Sequence, residues 1–250
     1  MRWTKQVLMR ANALVRKSAF SNRTFIRLLF GVEPLASATV QSYCEWSTIL
    51  QRFILGRHMP RGARVLDLGA GAHAMLAIHV KKRFPDAVVL ATDIVPERIE
   101  YAMRTVDRNG ADVRCLVADV FERVAGRFDL ILFDPPAIPT EDLASLGFEP
   151  KACEGLGERR CWSGDGGDDG LNVIRHFLAG AGERLTDRGR AIMCVNPLHC
   201  GRERLSALCH GAGLEVCRVH SLPGIVNAYV LANASGRLRR RPWLARISHR

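Results

Sequence analysis

The chain has no apolar run approaching the ~18 residues that a membrane-crossing helix needs, and its start shows no compact apolar stretch with a small-residue cleavage site. These absences predict a cytoplasmic protein with no membrane span. An acid-free, Arg-containing amphipathic start leaves a mitochondrial matrix location as the alternative. No internal repeat is present. None of the eight cysteines (Cys44, Cys115, Cys153, Cys161, Cys194, Cys200, Cys209 and Cys217) forms a Cys-x-x-Cys pair, and no histidine spacing accompanies them. A structural metal site is therefore not expected, and the cysteines read as reduced core thiols. Acidic residues are missing from both ends. Residues 1–32 carry seven basic groups and no acid, and residues 237–250 carry six and no acid. Since the net charge of the whole chain is only +11, the middle is slightly acidic. Basic ends of this kind suit a polyanion such as RNA.

Composition is otherwise ordinary for a globular protein: 48% hydrophobic and 24% charged over 250 residues, enough for one α/β domain with a short extra element. Residues 1–58 read as a basic N-terminal helical arm, with Trp3, Val7, Ala11 and Leu14 at helical spacing. A second helix over 38–55 would bury Val40, Tyr43, Ile49 and Phe53. From Ala63 the pattern alternates. Strands are predicted at 63–68, 87–94, 113–118, 128–133 and 189–196, separated by helical stretches, with a long loop over 137–169. Leu171, Ile174, Phe177 and Leu178 mark the helix after that loop. Two final strands, 214–222 and 225–231, are joined by Pro223-Gly224, a link so tight that they must be antiparallel. Strands separated by helices imply right-handed crossovers and a mainly parallel seven-stranded sheet. The body would span 59–236, and 237–250 would form a basic tail.

A parallel sheet binds ligands beyond the carboxyl ends of its strands. Four sets of groups fall there: Gly69-Ala70-Gly71, Asp93 with Ile94, Asp119 with Val120, and Asp134-Pro135-Pro136. Glycines in the first strand-to-helix turn let the backbone turn sharply and a ligand approach closely. Gly69 to Ala74 also fits the dinucleotide pattern, and Asp93 suits ribose hydroxyls under either reading. Asp67, two residues before the first glycine, argues against pyrophosphate. A buried acid there suits a cationic amino-acid head group such as that of S-adenosylmethionine.

The most specific segment is Phe128-Asp-Leu-Ile-Leu-Phe-Asp134-Pro135-Pro136. An apolar strand delivers an acid to the sheet edge, and two prolines then fix the backbone. Methyl transfer to nitrogen is an in-line displacement, and alignment of the reacting atoms can supply ~7–11 kcal/mol. Asp134 could accept the hydrogens of a target N–H.

This set resembles the class I S-adenosylmethionine-dependent methyltransferases, which have a Rossmann-like fold. By that resemblance Asp67 and Gly69, Ala70 and Gly71 hold the methionine part. Asp93 and Ile94 lie at the ribose, and Asp119, with Val120 or Phe121, lies at the adenine. Asp134, Pro135 and Pro136 carry the chemistry, with Asp134 also beside the cofactor. Within the class the chain is similar to the release-factor and ribosomal-protein glutamine methyltransferases. That branch has Asn-Pro-Pro-Tyr-Ile, then Glu-Pro, then Gly-Gly-x-Asp-Gly-Leu. Here the corresponding residues are Asp134-Pro135-Pro136-Ala137-Ile138, Phe148-Glu149-Pro150 and Gly166-Gly167-Asp168-Asp169-Gly170-Leu171.

Three positions depart from the pattern. His73 stands where relatives carry a third glycine. Asp134 replaces an asparagine that can both donate to and accept from a primary amide, whereas an ionised carboxylate only accepts. Ala137 replaces an aromatic wall, a role left to Trp162, Phe133 or Tyr43. The resulting expectation is methyl transfer to a nitrogen of a translation protein or RNA. The alternatives are a small-molecule N- or O-methyltransferase with a reshaped pocket, and a binding module that keeps the fold without the chemistry. A cytosine C5 mechanism is not expected, because no cysteine follows a proline or sits in the Asp134 loop to act as nucleophile.

Overall fold

The computed structural model describes residues 19–35, 43–145 and 164–234. Seven strands form one sheet: β1 (Arg64–Leu68), β2 (Val88–Asp93), β3 (Val113–Val117), β4 (Phe128–Phe133), β5 (Leu185–Val195), β6 (Leu214–Leu222) and β7 (Val226–Asn233). Their order is β3-β2-β1-β4-β5-β7-β6. The first five pair in parallel, while β7 lies antiparallel between β5 and β6. Chain direction around the sheet reverses between β1 and β4. That is the switch point at which open α/β sheets place their ligands.

Helices cover both faces: α1 (Arg23–Phe30), α2 (Trp46–Ile54), α3 (Met75–Arg83), α4 (Pro96–Arg108), α5 (Thr140–Ser145), α6 (Asn172–Arg184) and α7 (Arg202–Gly211). On one face Ile26, Phe30, Leu50, Ile54, Ile78, Ala102 and Val106 pack on Val65, Val89, Leu130 and Leu132. On the other, Ile174, Phe177, Leu178 and Leu205 pack on Leu66, Ile131, Ala191 and Met193. Burial from both sides explains why β4 reads as a nearly unbroken apolar run.

The local signals behave as the chemistry demands. Pro96 occupies the first turn of α4, where its missing N–H costs nothing. Asn109 and Gly110 end that helix, Gly110 at φ +56°. Asn22 caps α1 through Phe25 N (3.0 Å), and Gly31 closes it at φ +68°. The described part of the N-terminal arm is tied to the body. His79 Nδ1 meets Phe30 O at 2.8 Å, and the Asn109 amide accepts from Glu33 N and donates to Glu33 O, both at 2.9 Å.

Four expectations change. The helix predicted over 38–55 begins only at Trp46, fixed by a capping box between Glu45 and Thr48. With that start, the turn of the helix brings Ser47, Leu50, Gln51 and Ile54 inward and leaves Phe53 61% exposed. Val40, like Trp3, Val7, Ala11 and Leu14, lies outside the described residues. The fifth strand begins at Leu185 rather than Gly189. Leu185 pairs with Phe128 and Arg190 with Leu130, so residues 186–189 bulge from the ladder. Asp129 holds that bulge, accepting from the Thr186 hydroxyl and from Arg64 N, both at 2.9 Å. Finally, the segment predicted as loop over 137–169 contains α5.

Candidate active site

β1 carries Asp67 into the core and then opens into the turn at Gly69, Ala70 and Gly71. Gly69 and Gly71 take φ +68° and +67°, a region that costs a side-chain-bearing residue about 1–2 kcal/mol. A Cβ at Gly71 would meet nothing within 4 Å, and one at Gly69 only the Phe133 ring, at 3.8 Å. The turn therefore faces open space at the end of the sheet. Ala70 N donates to Thr92 O at 2.7 Å, fastening the turn to β2.

Two of the predicted acids are built into this turn. Asp67 is 5% exposed, and its Oδ2 accepts from Ala77 N in the first turn of α3 at 3.0 Å. Burial pushes its carboxyl up to about 7 against that bond, with the nearby Asp93 charge adding a smaller push. Asp93 is 3% exposed. Its two oxygens accept from Gly71 N and Val95 N, both at 3.0 Å, and Arg98 lies 3.8 Å away. It therefore joins the glycine turn to the start of α4. Ile94 beside it is half-buried.

His73 is 4% exposed, and neither ring nitrogen has a hydrogen-bond partner among the described residues. It sits edge-on to Tyr43 and Tyr101, with centroids 4.9 and 5.6 Å away. Burial lowers its pKa to about 4, so the ring is neutral at ordinary pH. Asp119 follows β3 half-buried, and Val120 after it has φ +48°. Phe121 does not line an open site. Its ring stacks on Phe177 at 5.5 Å, and a Cβ at Gly180 would lie 2.7 Å from it.

β4 delivers the second half of the site beside the first, because Leu68 and Phe133 are paired neighbours. Asp134 is exposed, whereas Pro135 and Ala137 are buried and Pro136 is half-buried. The Ser47 hydroxyl of α2 donates a short hydrogen bond to Asp134 Oδ2. The segment 164–171, which contains the Gly-rich motif, folds back onto this loop. Ile138 N donates to Gly164 O and Gly166 N to Ile138 O, both at 2.8 Å. Asp165 Oδ1 accepts from the Thr140 hydroxyl (2.8 Å) and from Gly167 N (2.9 Å). Gly170, at φ +75°, lies so close that a Cβ would stand 2.6 Å from Ala137 O. Asp169 accepts from Leu171 N at 3.1 Å and pairs with Arg175 and, at 2.7 Å, with Arg204; Arg175 holds its carboxyl down at about 2.

The structure thus gathers Asp67, the glycine turn, Asp93, Asp119 and the Asp134 loop along one edge of the sheet. Among the aromatic candidates to replace the wall at Ala137, Phe133 is 4% exposed and packs on Phe177, with centroids 4.8 Å apart. Tyr43 packs on His73, and Trp162 lies outside the described residues, as do Phe148, Glu149 and Pro150. The described residues contain no cluster of three or more His, Cys, Asp or Glu able to hold a metal. Burial pushes the Cys44 and Cys209 thiols up to about 12 and Cys115 up to about 11, as for inert core thiols. Cys217 is exposed, and Cys153 and Cys161 lie outside the described residues.

Ser47 and Asp165 are missed by sequence reasoning. Ser47 is 87 residues from its partner, and no local spacing signals the contact. Asp165 could have been found, since it directly precedes the Gly-rich motif at 166–171.

This sheet order, with a glycine turn after β1 and an Asp-Pro-Pro loop after β4, defines the Rossmann-like methyltransferase fold. A methyltransferase of known structure from Pyrococcus furiosus superposes with a TM-score of 0.60 at 19% identity, covering 90% of this chain and 98% of that one. Residues 50–144 match the methyltransferase small domain family. The chain is 36% identical over 139 residues to the release factor glutamine methyltransferase of Geobacter sulfurreducens, covering 53% of this chain and 45% of that protein. It is 40% identical over 134 residues to the ribosomal protein uL3 glutamine methyltransferase of Bradyrhizobium diazoefficiens, covering 52% and 39%. The chain thus spans less than half the length of these relatives. Among the described residues no helix is long and apolar enough to cross a membrane.

Proposed function

We propose that this chain is an S-adenosylmethionine-dependent methyltransferase that modifies a nitrogen of a translation protein. One observation carries the reading: the open glycine turn after β1 and the Asp134-Pro135-Pro136 loop after β4 end neighbouring strands of one sheet. Its support in the comparisons is the pair of glutamine methyltransferases named above.

The residues fit the cofactor. Gly69, Ala70 and Gly71 leave space above the turn and would receive the methionine part. Asp67, close to the point where protonated and ionised forms balance, would ionise beside a cationic head group. Asp93 and Ile94 would lie at the ribose, and Asp119 and Val120 at the adenine. The cofactor supplies an already activated methyl group. The protein's contribution is placement and desolvation. Asp134 accepts an N–H hydrogen of the acceptor, turning the nitrogen lone pair toward the transfer line, while Pro135 and Pro136 hold the backbone that carries it. The hydrogen bonds from residues 164–170 keep the loop from swinging.

On this reading residues 59–236 form the methyltransferase domain and 1–58 a basic arm whose described residues pack on it, with a basic tail at 237–250. The basic ends suit an acceptor presented among RNA phosphates, and the working place is the cytoplasm, with the translation machinery. The test is incubation of the full chain with methyl-tritiated S-adenosylmethionine and source-cell extract, with Asp134→Ala as blank. Label in a protein fraction supports the reading. Label in RNA moves the acceptor to nucleic acid, and label only at low mass makes the enzyme a small-molecule methyltransferase. No label, with no cofactor binding by calorimetry, leaves a binding module.

A further inference from the structure

We propose that Ser47 is the positioning residue for Asp134, so that the arm preceding the methyltransferase domain completes the acceptor site. The inference rests on the enzymatic reading above and names a residue outside every motif that supports it.

Asp134 is exposed at the end of β4, and an exposed carboxylate ordinarily samples several rotamers. Here its Oδ2 receives the Ser47 hydroxyl, and Ser47 is 4% exposed. A hydroxyl buried to this degree requires a partner, and among the described residues the carboxylate is the one it has. Hydrogen bonds to an ionised acceptor are stronger than neutral ones. With Oδ2 held, the torsion of the carboxyl group is set, and with it the direction in which Oδ1 points.

Ser47 is itself anchored. It lies in the first turn of α2, whose start is fixed by the capping box two residues earlier: Glu45 N donates to the Thr48 hydroxyl at 3.1 Å. Behind it the Cys194 thiol of β5 approaches Ser47 O at 3.9 Å. Leu50 and Ile54 of the same helix are buried in the core shared with β1 and β4. The hydroxyl is therefore presented by a rigid element.

The chemistry matches the Asp in the motif. A serine hydroxyl that donates needs an acceptor in a fixed place. A carboxylate offers one from either oxygen, whereas an asparagine offers one only when its amide is turned the right way. A carboxylate that takes the Ser47 hydroxyl still has further lone pairs with which to accept from substrate, which suits a nitrogen that presents hydrogens.

The experiment uses the full-length chain with tritiated S-adenosylmethionine and source-cell extract as acceptor. Ser47→Ala removes a single oxygen atom. It is expected to lower the maximal labelling rate about 10–100-fold, with the KM for S-adenosylmethionine and its calorimetric Kd within twofold of wild type. Ser47→Thr, which keeps the hydroxyl, is expected to recover most of the rate. Combined with Asp134→Ala, the Ser47→Ala change should add no further loss, because it acts through that carboxylate. Ser47→Ala labelling at the wild-type rate overturns the role. So does a joint fall of the Ala and Thr variants, a loss of cofactor binding in Ser47→Ala, or additivity with Asp134→Ala. A wild-type chain that labels no fraction overturns the enzymatic reading and this role together, which separates that failure from the failure of Ser47 alone.

Discussion

The two acids nearest the glycine turn and the acid of the Pro-Pro loop have similar sequence surroundings, each near the carboxyl end of an apolar strand, yet they live in different environments. Asp67 and Asp93 are almost wholly buried, and they accept from backbone N–H groups of the adjoining turns and helix starts, those of Ala77, Gly71 and Val95. Asp134 is exposed and is held by a side chain from α2. The first pair shapes the loop it belongs to and cannot be separated from the fold. The second is an acid displayed by the fold and steered from a distance. Substitutions near the turn should therefore read out in stability together with cofactor binding, and those at Asp134 chiefly in rate.

The sharpest break between the two is Asp134→Ala. We expect methyl labelling to fall at least ~100-fold, the scale of losing one well-placed polar group at a reacting centre. The melting temperature should fall by only a few degrees, the scale of leaving the buried Ser47 hydroxyl without its acceptor, ~1–3 kcal/mol. A large drop in melting temperature would place Asp134 in the same class as the turn acids.

The turn should show the opposite profile. The folded-state pKa of Asp67, raised to about 7 from 3.8, means that the native protein holds a proton the unfolded chain releases. By linkage its contribution is fully present below about pH 4 and is lost as pH rises toward 7, on the order of 4 kcal/mol across that window. Melting temperatures taken between pH 4 and 8 should fall through it, and Asp67→Asn should flatten the slope. An unchanged slope in the variant would show that another group carries it.

Gly170→Ala probes the join between the Gly-rich segment and the loop that carries Asp134, Pro135 and Pro136. The new Cβ would stand 2.6 Å from Ala137 O at φ +75°. It should cost about 1–3 kcal/mol of stability and lower the labelling rate as well, measured by urea unfolding and by the tritium assay. An unaffected rate would mean that the fold-back of residues 164–170 does not position Asp134.

The smallest effect is expected at Asp169. Its carboxyl is held at about 2 by Arg175, so its contribution is present above about pH 4 and lost as pH falls toward 2. The group is a third exposed, and solvent screening keeps Asp169→Asn below ~1 kcal/mol at neutral pH. That difference should shrink in high salt. A persistent loss in salt would point to the bond from Leu171 N at the start of α6 instead.

Much of this was legible along the chain. Strands β1 to β4 and the final hairpin were readable because doubly buried strands and tight turns leave local marks, as in Phe128–Phe133 and Pro223-Gly224. Helix α2 was misread at its start because the capping box at Glu45 and Thr48 is weaker in sequence than the apolar spacing before it. Phe53 was placed inside for the same reason. The start of β5 was missed because residues 186–189 bulge, and a bulge leaves no periodic signal.

What the sequence by itself determined is the set of chemical parts: the glycines that permit φ near +68°, the acids at strand ends, and the prolines that stiffen the acceptor loop. Those features depend on covalent geometry and on neighbours within a few residues. Only the tertiary structure decided which acid is buried and which is displayed. It also turned Phe121 and Phe133 toward Phe177, and it brought Ser47 across 87 residues to Asp134. The physical reason is that burial and long-range hydrogen bonds are set by which surfaces the helices cover, and no local stretch of chain contains that information.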